Sequence, residues 1–194
     1  MKEILVLLLI YFIGAVPMAY LVGKYVKGMD IRKYGSGNVG ATNAFRIFGT
    51  GPGLAVLMLD LLKGVAAVLI ARYVGGPWFI VLASFTVMAG HNYSIFLGFK
   101  GGRGVATGAG IILSISPLIL LIALIIFVII VVVTKYVSLG SIIAAFSIPL
   151  LMLGFKQPAP ELVLGLVAAI FVIYRHKPNI ERLLNGTEPK ITER

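Results

Sequence analysis

Val105-Ala106-Thr107-Gly108-Ala109-Gly110-Ile111-Ile112-Leu113-Ser114-Ile115-Ser116 is mostly apolar and only 12 residues long. As a helix it reaches about 18 Å, against a hydrocarbon core of roughly 30 Å. Whether it crosses a bilayer fixes the side on which everything after it lies. Longer apolar runs flank it near 4–22, 53–72, 78–97, 117–134, 138–154 and 161–174, most close to the roughly 20 residues that cross a membrane. If the short stretch also crosses, Lys24, Lys27, Arg32, Lys33, Arg46, Lys100, Arg103, Lys135, Arg175, Lys177, Arg182, Lys190 and Arg194 share one side, and only Lys2, Arg72 and Lys156 lie on the other. If it does not, the two sides carry equal numbers of cations. Cytoplasmic loops concentrate lysine and arginine, so the first arrangement is expected. The predicted fold is an all-α integral membrane protein of seven transmembrane helices, N-terminus outside and C-terminus cytoplasmic, with one short span at 105–116. It forms a single membrane domain over 1–194, with cytoplasmic loops near 23–52 and 98–104 and a tail from 175.

Composition agrees. The chain is 59% hydrophobic and 12% charged, where soluble domains carry about 25% charged residues, and its mean hydropathy is +1.03. The first apolar run follows a single lysine and has no small-x-small cleavage site, so it is read as a retained span. There is no cysteine, which excludes disulfides, thiolate metal sites and a cysteine nucleophile. Basic residues number 17 against 7 acidic ones. In a membrane protein this excess sets topology and meets anionic lipid head groups, and no nucleic-acid partner is expected.

Three polar segments fall together on the predicted cytoplasmic side. The first is Gly35-Ser36-Gly37-Asn38-Val39-Gly40-Ala41-Thr42-Asn43-Ala44-Phe45-Arg46. Its glycines allow left-handed backbone and close approach to a ligand, and successive N–H groups can form an anion-binding concavity. Ser36 and Thr42 offer hydroxyls, Asn38 and Asn43 amides, and Arg46 a planar fork suited to phosphate. A flexible loop with a helix cap would use the same residues. The second is Gly98-Phe99-Lys100-Gly101-Gly102-Arg103-Gly104-Val105-Ala106-Thr107. A glycine-rich turn at a helix N-terminus suits an anion, although the spacing is not that of a nucleotide-binding P-loop. A tight turn with topogenic charges is the plainer reading. The third is Tyr174-Arg175-His176-Lys177-Pro178-Asn179-Ile180-Glu181-Arg182-Leu183. Pro178 is expected to break the helix and aim Asn179 inward. His176 titrates near neutrality, and a basic cluster against anionic lipid is the alternative.

Outside these segments, Asp60 and Lys63 share a helix face within a span, where a structural ion pair is expected. Ser138 and Ser141 lie three apart at the start of a span, as helix caps or as hydroxyls for a site. His91 is read as a hydrogen-bonded packing residue. With two histidines and no acidic cluster beside them, no metal site is expected.

In order, spacing and content, the segments 35–43, 98–107 and 175–183, with Leu59-Asp60-x-x-Lys63-Gly64 and Tyr136-Val137-Ser138-Leu139-x-Ser141-Ile142, resemble the bacterial acyl-phosphate:glycerol-3-phosphate acyltransferases over almost the whole chain. The resemblance implies acyl transfer from acyl phosphate to the 1-hydroxyl of sn-glycerol 3-phosphate, giving lysophosphatidate and phosphate at the start of phospholipid synthesis. It implies no cofactor, residence in the bacterial inner membrane with the site facing the cytoplasm, and an upstream enzyme that forms the acyl phosphate. By the same likeness Ser36, Arg46, His176 and Asn179 are catalytic. Gly37, Asn38, Gly40, Thr42, Asn43, Lys100, Gly101, Gly102, Arg103, Gly104 and Ser141 contact substrate, and Glu188 is structural. Arg103 stands where many relatives carry lysine, so a fork replaces a point charge.

Phosphate is a good leaving group, so direct attack by the glycerol hydroxyl needs no acyl-enzyme. His176 or a substrate phosphate oxygen would take the proton. An H-x-x-x-x-D acyltransferase is disfavoured, because Phe96 follows His91 at that spacing and Pro178 lies between His176 and Glu181. A CDP-alcohol phosphotransferase needs a cluster of aspartates, whereas the cytoplasmic loops hold only Asp30. An organophosphate transporter would place its polar residues at mid-membrane on repeated halves.

Overall fold

The computed structural model describes residues 1–192; Arg194, one of the expected inner cations, lies outside the described residues. The helices are α1 (Lys2–Ala15), α2 (Met18–Lys27), α3 (Ala41–Phe48), α4 (Thr50–Arg72), α5 (Pro77–Asn92), α6 (Val105–Ile115), α7 (Pro117–Thr134), α8 (Val137–Gly154), α9 (Ala159–Arg175) and α10 (Lys177–Leu184). Short 3₁₀ turns occupy Ile31–Lys33 and Ile95–Leu97. Among the described residues there is no strand. Two compact units result, residues 1–114 and 115–194.

Thr50–Arg72, Pro77–Leu97, Pro117–Thr134 and Val137–Gly154 are long and apolar enough to cross a membrane. Two bent pairs raise the number of candidate spans from 4 to 6: α1 with α2, at 44°, and α9 with α10, at 57°. The expected seventh rests on α6, an apolar helix of 11 residues. The first apolar run is therefore not the single helix its hydropathy suggests. Pro17 lacks an N–H, and its ring drives Val16 into extended backbone, with ψ 118°. At the other bend the break falls on His176, earlier than expected. Pro178 sits instead in the first turn of α10, where its missing N–H costs no hydrogen bond.

Glycine decides how the helices meet. In the first unit Gly14 of α1 lies on the Val87 carbonyl of α5, and Gly90 of α5 on the Tyr11 carbonyl of α1. Gly64 of α4 faces the Thr107 carbonyl, and Gly110 of α6 the Leu61 carbonyl. A Cβ at any of these positions would collide with main chain. In the second unit Gly140 of α8 fits against Phe127 and Val131 of α7, and Gly165 of α9 against Met152 of α8. The large side chains point outward instead: Leu121, Leu124, Ile125, Val128 and Val132 of α7 are all exposed. Small residues inside and large apolar ones outside suit a hydrocarbon solvent.

One soluble-type cluster supplements this packing. Ala19, Ile31, Val39, Ala44, Phe48, Val56 and Leu97 are buried together, tying the 30–40 loop and α3 to the ends of α2 and α4.

Gly64→Ala should destabilise the protein by about 1–3 kcal/mol, because backbone cannot yield to the added methyl. Gly108 of α6, with nothing within 4 Å of its Cβ position, should accept alanine with little change or a small gain. Thermal unfolding of the two purified variants in one detergent checks the contrast.

Candidate active site

The first polar segment is organised by one buried amide. Gly35 and Gly37 have φ of 58° and 67°, the left-handed region that favours glycine. The chain thereby curls around Asn43, which is 1% exposed in the first turn of α3. Asn43 Oδ1 accepts from the Ser36 N–H at 3.1 Å. Its Nδ2 donates to the carbonyls of Tyr34 and Asn38, each at 3.1 Å. Asn43, expected at the substrate, thus spends its amide on the loop. Ser36 is exposed on the loop and Thr42 in the first turn of α3, Gly37, Asn38 and Gly40 are half-buried, and Arg46 is half-buried in the last turn of α3.

The loop has its own anchor. Arg32 Nε and Nη2 clamp Asp30 at 2.9 and 2.7 Å, while the Arg32 guanidinium lies 4.9 Å from the Tyr20 ring centre. The Arg32 hydrogen bond draws the Asp30 carboxyl down to about 2. Arg32 is therefore committed to structure. Among the described residues Arg46 and Lys100 have no carboxylate within ion-pair distance, which leaves both suited to an anion.

The second segment follows α5 by way of the 3₁₀ turn at Ile95–Leu97. Gly98, Phe99 and Gly104 have φ of 60°, 63° and 81°. The turn folds back so that Gly101 N–H donates to the Asn92 carbonyl at 3.0 Å and Gly102 N–H to the His91 carbonyl at 3.1 Å. These two amides, read from sequence as anion donors, close the turn itself. Their glycines are required because a Cβ at 101 would strike the His91 and Asn92 backbone, and one at 102 the His91 ring. What remains for an anion is the start of α6, whose first-turn N–H groups have no intrahelical acceptors, with exposed Lys100 and half-buried Arg103 beside it.

Asn92 carried no signal in the sequence. Its side chain is fully buried, both amide atoms lack hydrogen-bond partners, and a Cβ on Gly104 would touch it. An asparagine in the last turn of a helix is too common to stand out. Only the fold reveals its amide against the turn.

In the second unit His176 is 2% exposed and ends α9. Its Nδ1 lies 2.7 Å from the Val172 carbonyl. A carbonyl can only accept, so Nδ1 carries a proton there. The Asn179 N–H donates to the His176 carbonyl at 2.8 Å. Asn179 Nδ2 donates to Glu188 Oε1 at 2.7 Å, and its buried Oδ1 takes no hydrogen bond. Arg182 Nε donates to Glu188 Oε2 at 2.7 Å. Burial works against the Glu188 charge. The nearby Ser138 hydroxyl, which falls short of full hydrogen-bond geometry, acts with Asn179 and Arg182 to outweigh it, and the carboxyl is held below its ordinary value. The Ile191 N–H donates to the Lys135 carbonyl at 2.9 Å, so the tail is tied to the α7–α8 corner. Ser141 Oγ donates to the Val137 carbonyl at 2.9 Å.

Both units thus present polar groups suited to phosphate. Among the described residues no three histidine, aspartate, glutamate or cysteine side chains come together to bind a metal. Residues 4–186 match the family described as glycerol-3-phosphate acyltransferase. The chain belongs to the glycerol-3-phosphate acyltransferase family. It is 53% identical to the glycerol-3-phosphate acyltransferase 2 of Moorella thermoacetica, over 98% of each chain. It is 45% identical to the glycerol-3-phosphate acyltransferase of Desulforamulus reducens, over 95% of this chain and 92% of that one. Among solved structures it resembles the glycerol 3-phosphate form of PlsY (YgiH), an integral membrane glycerol 3-phosphate acyltransferase, with a TM-score of 0.93 and 37% identity over 98% of this chain and 96% of that one. A lysophosphatidic acid form of PlsY aligns with a TM-score of 0.91. With its relatives and its apolar helices, this family member is a membrane-embedded acyltransferase enzyme.

The depressed Glu188 pKa has a definite sign. Its stabilisation is fully present above the ordinary glutamate value and is lost as pH falls through the lower folded value. Glu188→Gln should cost about 1–3 kcal/mol at pH 7, and the gap to the parent should close on acidification below about pH 4. Thermal unfolding of both proteins from pH 3 to 8 measures it.

Proposed function

We propose that the chain transfers an acyl group from acyl phosphate to the 1-hydroxyl of sn-glycerol 3-phosphate, releasing lysophosphatidate and inorganic phosphate. The observation that carries the chemistry is His176, buried where α9 ends with its Nδ1 on the Val172 carbonyl. The substrate follows from the relatives, since PlsY exists in glycerol 3-phosphate and lysophosphatidic acid forms.

The glycerol oxygen attacks the acyl carbonyl carbon, and the bond from that carbon to the bridging phosphate oxygen breaks. The hydroxyl proton passes to His176 Nε2, with a substrate phosphate oxygen as the competing acceptor, and phosphate departs with the bonding pair. Arg46, Lys100 and Arg103 neutralise phosphate charge. The 98–104 turn and the start of α6 receive the phosphate of glycerol 3-phosphate. Asn179 Oδ1, a buried acceptor, suits a glycerol hydroxyl, and Ser36 and Ser141 supply further polar contacts. Asn43, Gly101 and Gly102 shape the loops that do the binding. Holding both reactants in line supplies much of the rate, and donors at the developing oxyanion supply the rest. No cofactor is needed.

The reaction belongs to a single seven-span domain in the bacterial inner membrane, facing the cytoplasm, fed by an enzyme that makes acyl phosphate. α1 with α2 forms the first span, α6 the short one, and the N-terminus lies outside. The chain has no cysteine, so single cysteines report sidedness cleanly. Lys27→Cys, Lys100→Cys and Lys190→Cys should react with an impermeant maleimide only in inverted vesicles, and Lys156→Cys only in intact cells. Labelling of Lys190→Cys from outside would refute the topology.

Purified protein given palmitoyl phosphate and glycerol 3-phosphate, without added metal, should form lysophosphatidate and release phosphate, and palmitoyl-CoA should not replace the donor. No product, with an active relative working in the same detergent, would refute the activity. His176→Ala should lower turnover by about 10²–10⁴-fold. Near-normal turnover of that variant from pH 6 to 9 would assign the proton to the substrate phosphate.

A further inference from the structure

A buried charged cluster in the first unit lies behind the glycine-rich turn. Asp60 and Lys63 of α4 pair at 2.7 Å, with side chains 2% and 3% exposed. Asp60 Oδ1 is also 3.7 Å from His91 Nδ1. The expected structural ion pair is therefore present, but it does not stand alone. Lys63 Nζ donates to the Val16 carbonyl at 2.5 Å, a group left without a helical donor by the break at Pro17. The Asp60 main-chain carbonyl accepts from Thr107 Oγ1 at 3.0 Å, in the first turn of α6. Asp60 thus touches both flanks of the 98–104 turn: α6 through its carbonyl, and His91 through its carboxylate.

His91 is the link to the turn. Its carbonyl receives the Gly102 N–H, and its ring fills the space where a side chain at 102 would go. A rotated imidazole would press on Gly102 or leave it unsupported. The cavity among Asp60, Lys63 and His91 measures ≈ 10 Å³, room for no more than one water, so neither substrate reaches the carboxylate. Whatever the cluster contributes to the reaction must travel through its neighbours.

We infer that Asp60, held by Lys63, is a positioning residue for glycerol 3-phosphate: its charge orients the His91 ring, and the ring sets the backbone of the 101–104 turn. This rests on the reading of that turn as the site of the substrate phosphate. Val39 of the 35–46 loop lines the same cavity, but the hydrogen bonds of Asp60 and Lys63 run to Val16 and Thr107, so the effect is expected at the 98–104 turn and its substrate.

Asp60→Leu/Lys63→Met removes both charges at once and leaves no lone charge in the membrane. In the full-length enzyme it should raise KM for glycerol 3-phosphate about tenfold and leave KM for palmitoyl phosphate near the parent value. His91→Gln should give the same split, and keeps the inference testable if the double variant does not fold. The triple variant should show no further rise, because both changes act through one turn. Equal shifts in both KM values, or none, would overturn the positioning role. Arg103→Ala distinguishes the two ways of failing. If it raises KM for glycerol 3-phosphate while the cluster variants do not, only the positioning role falls. If it leaves that KM unchanged, the turn does not bind the phosphate and both readings fall.

Discussion

In hydrocarbon, helices gain little by burying leucine on leucine, because lipid is as apolar as the neighbouring helix. Association then depends on how closely two backbones can approach. Gly14 and Gly90 bring α1 onto α5, Gly64 and Gly110 bring α4 onto α6, and Gly140 and Gly165 seat α8 between α7 and α9. The α4–α6 contact matters most for chemistry. It places Thr107 on the Asp60 carbonyl and so fixes where α6 begins, directly after the glycine-rich turn.

A second demand follows from the same solvent. Main-chain groups freed inside a membrane must find partners in the protein. Where α1 gives way to α2, the Ala15 carbonyl takes the Ser94 hydroxyl and the Val16 carbonyl takes the Lys63 ammonium. Tyr11 reaches the Tyr93 carbonyl in the same region. The Ser94 and Tyr93 bonds meet just past the end of α5, so repairing the broken span also fastens the residues from which the glycine-rich turn departs. The second unit uses one carboxylate in a comparable way: Glu188 gathers Asn179 and Arg182 and holds the tail beside Ser138.

Such rigid scaffolding fits a reaction whose chemistry is undemanding. With acyl phosphate as the proposed donor, a mixed anhydride with a good leaving group would require no covalent intermediate, and the protein's task would be to neutralise phosphate, orient a hydroxyl and receive a proton. Several of the polar side chains serve the shape of the loops. Asn43, Arg32 and Arg182 have their hydrogen bonds occupied inside the fold, which narrows the groups left for substrate.

The sequence by itself determined the membrane class, the apolar runs, the three polar segments and the pairing of Asp60 with Lys63. Each of these depends on composition, hydropathy or helical spacing, which are local. It named His176 and Asn179 as candidates, from the titration range of an imidazole and from the family resemblance. Only the tertiary structure decided which polar groups remain available. Asn43 turned inward, the Gly101 and Gly102 amides closed their own turn, and Pro178 proved harmless where His176 ended the helix. Asn92 and the reach of Asp60 to His91 could not be read in advance, because they join residues far apart in sequence through bonds that exist only once the helices have packed.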